Sequence, residues 1–303
     1  MSYQVQTINK LLTIVDNVVD DIFNDNITVY ELSLALNDLY PKMMYHHRST
    51  LVYTKTIKWF IATGQKLKGE YYPSEVKWDE EAAQEFMYEI QNYFSEYHLN
   101  KANFALQEDR NTKSLSKYLN ELTGHYGRLL FVRVDLHYRM DGIGEKSIDN
   151  FNEYRKVLLK RIEKRNGCFK DLLGYAWSLE QGYENDCGLH CHLVLIYDAS
   201  KHHKESYLGQ IVGAKWVSII KGQGHYFNAS NPNYVKRFEK QGKRGVGRIH
   251  RNNENEVQNA IRTSSYLTTK KDKYEQRLKA RLPSMRTFGH GEFDVSWRRG
   301  IKR

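Results

Sequence analysis

The sequence predicts an α+β fold in two parts, a mainly helical region over residues 1–125 and a sheet-containing domain over residues 126–303. Three observations favour this class. Apolar residues recur at helical spacing in the first part, the pattern changes to strict alternation near residue 130, and two alternating segments then flank a polar, glycine-bounded turn. We therefore expect one antiparallel sheet with helices on one of its faces.

The first region is predicted to form four helices. Apolar stripes lie over residues 11–22 and 32–39, and Pro41 should end the second helix. A third helix is expected over 82–97 and a short fourth over 114–122. These stripes indicate a helical core without a catalytic constellation, so we assign this region no functional role.

The second region should begin with a strand over residues 130–138. Its even-numbered positions are apolar and should face a core, whereas the opposite face carries Arg133, Asp135 and His137. A helix over residues 148–165 is expected to follow.

A hairpin comes next and carries the most informative pattern in the chain. Alternation predicts one arm at 174–180 and the other at 188–197. His190 and His192 share a face of the second arm, with their imidazoles about 6–7 Å apart along the strand. Glu180 ends the first arm and can stand across from them, so the three side chains would suit Mn²⁺ or Mg²⁺. The alternative is an exposed histidine pair beside a solvated acid.

A helix over 203–221, short strands near 226–227 and 247–250, and a last helix from about 254 toward 278 complete the pattern. The order β-α-β-β-α-β is that of the ferredoxin-like plan, in which one face of the sheet stays open. By parity, that open face should carry six ionisable side chains: Arg133, Asp135, His137, Glu180, His190 and His192.

The last helix would place Tyr266, Lys270 and Tyr274 along one face, since they are spaced i, i+4 and i+8. A tyrosine phenol can attack phosphorus when a metal polarises the phosphate and a cation offsets the developing charge. Because the chain has 22 tyrosines, side chains half-buried against the sheet are the alternative interpretation.

Positive charge is concentrated in the second region. Residues 1–125 contain 12 basic and 17 acidic residues, a balance of −5, which leaves +15 for the remainder of a chain with net charge +10. This split indicates a polyanionic partner. The segment 234–248 is predicted to be a flexible basic loop that follows phosphates, although a merely solvated loop is the alternative. Its six cations are Lys236, Arg237, Lys240, Lys243, Arg244 and Arg248.

Composition also favours a cytosolic protein. Three cysteines, an odd number, argue against a disulfide framework and for a reducing compartment. The N-terminus lacks the basic and apolar runs of a secretion signal, and no stretch approaches 18 apolar residues, so we expect a soluble protein without membrane contact.

These features resemble the HUH endonucleases, and more narrowly the inovirus-type replication initiators of filamentous phages and prophages. The resemblance spans roughly residues 128–290. It is carried by Val132–Leu136, Gly188–His192, Ser265–Leu267 with the lysines that follow, and Arg286–Gly289. Its implied fold is a ferredoxin- or RRM-like nuclease domain.

The resemblance implies that His190, His192 and Glu180 bind the metal and that Tyr266, assisted by Lys270, nicks single-stranded DNA. A 5′-phosphotyrosyl link and a free 3′ hydroxyl would result, initiating rolling-circle replication in a bacterial cytoplasm. One departure is that the family commonly places its lysine three residues after the tyrosine, where this chain has Thr269. The implied partners are single-stranded DNA or a hairpin origin and a host helicase, with no small-molecule cofactor.

Three alternatives remain open. A transposase or relaxase of the same superfamily would share the chemistry, and Tyr274 is a candidate second nucleophile. A non-catalytic RRM-like protein would bind nucleic acid through exposed strand aromatics, which the predicted open face lacks. A structural zinc site at Cys187, His190, Cys191 and His192 is opposed by strand parity, because Cys191 points away from both histidines.

Overall fold

The structure is a computed structural model that describes residues 8–138, 148–182, 188–269 and 275–293. Lys270 and Tyr274 lie outside the described residues, so their predicted roles stay predictions. The described helices are α1 (Ile8–Phe23), α2 (Val29–His46), α3 (Lys55–Leu67), α4 (Glu80–Gln91), α5 (Phe94–His125), α6 (Ile148–Glu163), α7 (Glu205–Ile219), α8 (Pro232–Glu239) and α9 (Glu254–Ser265). The described strands are β1 (Val52–Tyr53), β2 (Arg128–Tyr138), β3 (Leu172–Gly182), β4 (Leu189–Asp198), β5 (Gly224–Asn228), β6 (Gly247–His250), β7 (Glu275–Gln276), β8 (Ala280–Arg281) and β9 (Phe288–His290).

The chain is α+β, as predicted. Helices α1 to α4 pack around one core, and the first turn of α2 is stabilised by a capping box between Thr28 and Glu31. The predicted end of α2 at Pro41 is wrong, because the helix continues to His46. Tyr40 and Met43 are fully buried on either side of the proline, and their burial offsets the backbone hydrogen bond that Pro41 cannot donate.

Helix α5 connects the two parts of the molecule. Its Tyr97 packs in the core of α1 to α4, whereas Leu115, Leu119 and Leu122 pack on the sheet. The predicted separate helix at 114–122 is therefore wrong, since these residues form the last third of one 32-residue helix. The residues of α5 between these two contacts are largely exposed and show no continuous apolar stripe. The sequence periodicity therefore stops in this stretch, whereas the helix continues.

The central sheet is antiparallel, with strand order β5-β2-β4-β3-β7 and with β6 beside β2 and β9 beside β3. The even-numbered side chains of β2 are buried together with the odd-numbered ones of β3 and β4, as the alternation predicts. Helices α6 and α7 cover this face through Phe151, Leu158, Val212 and Trp216.

The opposite face is only partly open, which corrects the expectation that it carries no helix. Phe131, Val194 and Ile196 on this face pack against α5, and Ala260 of α9 joins the same cluster. The alternation in the strands indicates that this face contains apolar residues at one end. It does not indicate which helices cover them, because those helices come from distant parts of the chain. The ionisable residues lie at the other end of this face.

The predicted continuation of the last helix toward residue 278 is also wrong. Helix α9 ends at Ser265, Tyr266 is its C-cap, and residues 267–269 form turns. Residues 275–276 are a strand paired with β3, and Ala280–Arg281 pairs with Val52–Tyr53 in a separate two-stranded sheet. Two β-branched residues, Thr268 and Thr269, follow the helix and disfavour its extension.

Candidate active site

Two rows of side chains cross the sheet and form the candidate site. Strand pairing places four residues side by side in the first row: His225, His137, His190 and Glu180. Strand pairing also places five residues in the second row: Phe227, Asp135, His192, Ser178 and Phe288. The two rows are two residues apart on each central strand, so both lie on one face of the sheet.

His192 lies between two carboxylates. Its Nδ1 is 2.8 Å from Asp135 Oδ1, and its Nε2 is 3.2 Å from Glu180 Oε2. The imidazole is 1% exposed and Glu180 is fully buried. These two side chains are therefore enclosed, in contrast to the predicted open surface.

Arg133 compensates the buried charge of Asp135. Its Nε and Nη2 donate to the two carboxylate oxygens of Asp135 at 3.1 and 3.0 Å. Burial by itself would raise the pKa of Asp135, but Arg133 and then His192 outweigh it and hold the pKa well below its usual range. Asp135 is consequently a carboxylate, and it accepts from Arg133 while it orients the ring of His192.

Tyr266 joins the site from the end of α9. The Arg133 guanidinium carbon lies 4.3 Å from the centre of the Tyr266 ring, a cation–π contact. The same ring meets His192 edge-on, with 5.4 Å between ring centroids and an interplanar angle of 85°. The predicted nucleophile thus lies beside the predicted metal ligand His192. Its placement was predicted from a helix that continues past Tyr266, but the helix ends here.

Glu180 has two further neighbours that the sequence did not reveal. Ser178 Oγ donates to Glu180 Oε1 at 3.1 Å, and Arg277 Nη1 lies 3.4 Å from the same oxygen. Arg277 Nη2 also donates to Glu108 of α5 at 2.6 Å. No motif or periodicity marks Arg277 or Glu108, because the contacts of Arg277 with Glu180 and with Glu108 depend on the return of the C-terminal segment along β3.

The N-terminal helices support the strand that carries Glu180. The buried side chain of Gln181 donates to Thr13 Oγ1 at 3.0 Å and to the Asn9 carbonyl at 3.3 Å, and its Oε1 accepts from the Lys279 backbone N–H at 2.9 Å. Lys279 Nζ in turn pairs with Asp16. Helix α1 is therefore part of the scaffold behind the site.

Imidazole rings extend the first row to the edge of the sheet. The centroid of the His137 ring is 4.2 Å from that of His190 and 4.4 Å from that of His225, with the last pair nearly parallel at 13°. His137 thus lies in the row, as predicted, and packs between two other histidines. His225 was not predicted, although its alternation within 224–228 places it on this face.

The predicted ligands fit a divalent ion in their chemistry. Nε2 of His192 and Oε2 of Glu180 are 3.2 Å apart, close to the spacing of two ligands on one ion with bonds of about 2.1 Å. The rings of His190 and His192 have centroids 6.3 Å apart. Over the described residues no three His, Cys, Asp or Glu side chains already form a complete ligand group, so ligation by all three needs side-chain adjustment.

The basic segment is more ordered than predicted. Residues 232–239 form α8 and residues 247–250 form β6, so the prediction of one flexible loop is wrong. Asn231 caps the helix and Pro232 occupies its first turn, both typical helix-start features. Five of the six cations are exposed on this structure: Lys236, Arg237, Lys240, Lys243 and Arg248.

Arg244, the sixth cation, has a structural role. Its guanidinium pairs with Glu205 of α7 at 2.7 Å and with Glu239 of α8 at 2.5 Å. These two ion pairs connect α8 to α7 and neutralise the charge that was expected to contact DNA.

A family model described as the YagK/YfjJ C-terminal domain matches residues 90–291, about two thirds of the chain. The chain belongs to this family. The YagK/YfjJ match contains α5, the whole central sheet and every site residue described above apart from those contributed by α1. No curated protein and no solved structure matches the chain. Within the described residues, no helix is both long enough and apolar enough to cross a membrane.

Proposed function

We propose that this protein is a metal-dependent HUH-type endonuclease that nicks and rejoins single-stranded DNA through Tyr266. The observation that carries the proposal is the position of Tyr266, whose ring contacts both Arg133 and His192. A tyrosine, a half-buried cation and a histidine–carboxylate cluster are the parts that attack on a phosphodiester requires.

In the proposed step, the phenolic oxygen of Tyr266 attacks phosphorus and forms a 5′-phosphotyrosyl bond. The bond from phosphorus to the 3′ oxygen breaks, the phenol loses its proton, and the departing oxygen takes one up to become a 3′ hydroxyl. Rejoining is the reverse reaction. Arg133 favours the phenolate because its positive charge lies 4.3 Å from the ring centre.

His190, His192 and Glu180 are the residues that would hold the ion, and Mn²⁺ or Mg²⁺ would supply polarisation of the phosphate oxygens. Asp135 positions the ring of His192 through Nδ1, which leaves Nε2 directed toward Glu180. Arg277 and Ser178 orient Glu180 through contacts with its other carboxylate oxygen, Oε1. Lys270 remains the proposed cation for the leaving group.

The topology supports an HUH-type domain. Strands β2 and β3 are joined through α6 and lie on either side of β4, and α7 leads from β4 to β5 on the same face. This order supports our inference of the split arrangement of a ferredoxin-like β-α-β-β-α-β unit. Within the superfamily we favour a replication initiator in a bacterial cytoplasm, acting at a single-stranded or hairpin origin with a host helicase.

The proposal is tested by trapping the covalent intermediate. Full-length protein is incubated with a randomised single-stranded DNA pool and Mn²⁺, and protein–DNA adducts that survive denaturation are isolated, sequenced and mapped by mass spectrometry. We expect adducts on Tyr266, none in Tyr266→Phe, and unchanged yield in Tyr207→Phe, which alters an exposed tyrosine outside the site. Adducts on Tyr274 instead would transfer the nucleophile role to that residue, and the absence of adducts would refute the proposal.

One observation favours binding without chemistry as a second candidate function. Phe227 is 41% exposed and lies next to Asp135 in the second row, where a base can stack on it. A purely binding protein would retain full affinity for single-stranded DNA in Tyr266→Phe and would form no adduct in the wild type.

A further inference from the structure

A cavity of about 440 Å³ opens beside Tyr266, between the sheet, α8 and α9. Its walls come from the segment 229–246, from Arg262 and Thr263 of α9, and from Arg133, Asp135 and Tyr266 of the candidate site. The volume lies in the range of roughly 300–1,000 Å³ that is typical of small-ligand sites. A ligand in this cavity would touch the predicted nucleophile.

Aromatic rings form one wall of the cavity. The rings of Tyr234 and Phe238 have centroids 5.3 Å apart, and Tyr234 also meets Phe227 at 4.9 Å. The guanidinium carbon of Arg237, which does not line the cavity, lies 3.9 Å from the centre of the Tyr234 ring. Flat aromatic surfaces of this kind stack on nucleobases without regard to sequence.

The lining also has an excess of positive charge. Four cations and one acid line the cavity: Arg133, Lys243, Arg244, Arg262 and Asp135. Arg133 is neutralised by Asp135, and Arg244 by Glu205 and Glu239. Lys243 and Arg262 form no ion pair with any residue that the structure describes, so the cavity favours an anionic ligand.

The cavity wall is held close to α9 at Gly245. A Cβ atom at this position would lie 2.0 Å from Thr263 Oγ1 and 2.2 Å from the Asn259 carbonyl oxygen. Only glycine permits this approach, which brings the segment that carries Lys243 close to the helix that carries Arg262.

We propose that this cavity holds one nucleotide of the single-stranded DNA substrate, with its base stacked on Tyr234 and Phe238 and its phosphate between Lys243 and Arg262. The inference rests on the proposed function, since it places this nucleotide next to the phosphodiester attacked by Tyr266. An aromatic wall and two cations in the lining of one cavity match the two halves of a nucleotide, whereas a phosphate alone would leave the aromatic wall unused.

The experiment measures binding in EDTA, where no nicking is expected, with oligo(dT) 15-mers that carry 5-iodo-deoxyuridine. Irradiation cross-links this base to an adjacent aromatic side chain, and mass spectrometry identifies the residue. We expect cross-links on Tyr234 or Phe238. Phe238→Leu keeps an apolar side chain and should weaken binding about 5- to 150-fold, the range for removal of one base–aromatic stack.

Two matched controls separate local from general effects. Tyr207→Leu removes a 60% exposed ring on α7 and should leave both affinity and cross-linking unchanged. Lys243→Ala combined with Arg262→Ala should lower the salt slope of binding by about 0.7, because the variant no longer neutralises one phosphate of the single strand. Lys58→Ala combined with Lys77→Ala removes the same charge from the N-terminal region and should not change the slope.

The outcomes distinguish this inference from the proposed function. Cross-links in the cavity without any covalent adduct in the trapping experiment would support a nucleotide site and refute nicking. Covalent adducts on Tyr266 would support nicking. The cavity assignment would be overturned if the cross-links then lay elsewhere and if Phe238→Leu bound DNA as tightly as Tyr207→Leu. No binding of single-stranded DNA by folded wild-type protein would overturn both.

Discussion

At the scale of single residues, the site is a chain of ionisable side chains whose members depend on one another. Arg133 neutralises Asp135, Asp135 orients His192, and His192 faces Glu180, all with little or no exposure to solvent. Buried ion pairs add little net stability, but removal of one partner leaves the other charge uncompensated. The cluster therefore couples stability to the geometry of the candidate site.

We expect Asp135→Asn to lower the free energy of unfolding by about 3–5 kcal/mol, because the Arg133 side chain, only 14% exposed, loses its counter-charge. Urea denaturation followed by circular dichroism measures the change. Glu153→Gln is the control, since it breaks an exposed ion pair with Lys156 and should have little effect. Equal stability of the two variants would show that Arg133 is solvated in the protein.

The metal hypothesis predicts different effects for the two histidines. His190→Ala and His192→Ala should each weaken Mn²⁺ binding at least 10-fold in calorimetric titration, since each removes a proposed ligand. His192→Ala should also destabilise the fold, because Asp135 and Glu180 both face this ring. Wild-type Mn²⁺ affinity in the double variant would contradict the assignment, and His203→Ala, outside the rows, is the matched control.

At the scale of secondary-structure elements, close packing positions the site. Helix α7 approaches β5 so closely that a Cβ atom on Gly213 would lie 2.1 Å from the Tyr226 ring. Strand β5 carries His225 and Phe227 into the two rows, so the approach of α7 determines where the edge of the site lies. Glycine is required at position 213 because the Tyr226 ring leaves no space for a larger side chain.

Gly213→Ala should therefore destabilise the protein by about 1–3 kcal/mol through overpacking. Gly124→Ala is the matched control in α5, where a new Cβ meets nothing within 4 Å, and it should stabilise by up to about 1 kcal/mol through helix propensity. Melting temperatures that change in opposite directions in the two variants would confirm the packing argument. Two stabilising substitutions would show that α7 lies farther from β5.

At the scale of the whole molecule, charge is divided between two regions that share a scaffold. The acidic N-terminal part supports the sheet through Gln181 and Lys279, while the basic part carries the exposed cations of α8 and β6. A partner with dense negative charge would approach from the basic side.

The exposed cations should control the salt dependence of DNA binding. Replacement of Lys236, Lys240 and Arg248 by alanine should lower the slope of log affinity against log salt by about 0.7 for each phosphate that is no longer neutralised. The position of any nick should not change, because phosphate contacts carry no base information. Arg244→Ala should instead reduce stability, since its ion pairs connect α8 to α7. An unchanged slope in the triple variant would locate the DNA path elsewhere.

The sequence by itself determined the class of fold and the faces of the central strands. Side chains alternate along a strand for local steric reasons, so Asp135, Glu180, His190 and His192 could be assigned to one face without knowledge of any distant contact. Apart from α8, which lies in the segment predicted to be a loop, the order of α-helices and strands from β2 to α9 followed from periodicity in the same way, within a few residues at most boundaries before the end of α9.

Only the tertiary structure decided what covers that face. Tyr266 reaches Arg133 because α9 packs on the sheet, and Arg277 reaches Glu180 because the C-terminal segment returns along β3. The cover of the apolar end of this face by α5, the helix in the basic segment and the cavity beside Tyr266 depend on the same long-range packing. Periodicity shows which side of an element is apolar, but the partner is selected by the free energy of burying that side against the rest of the molecule.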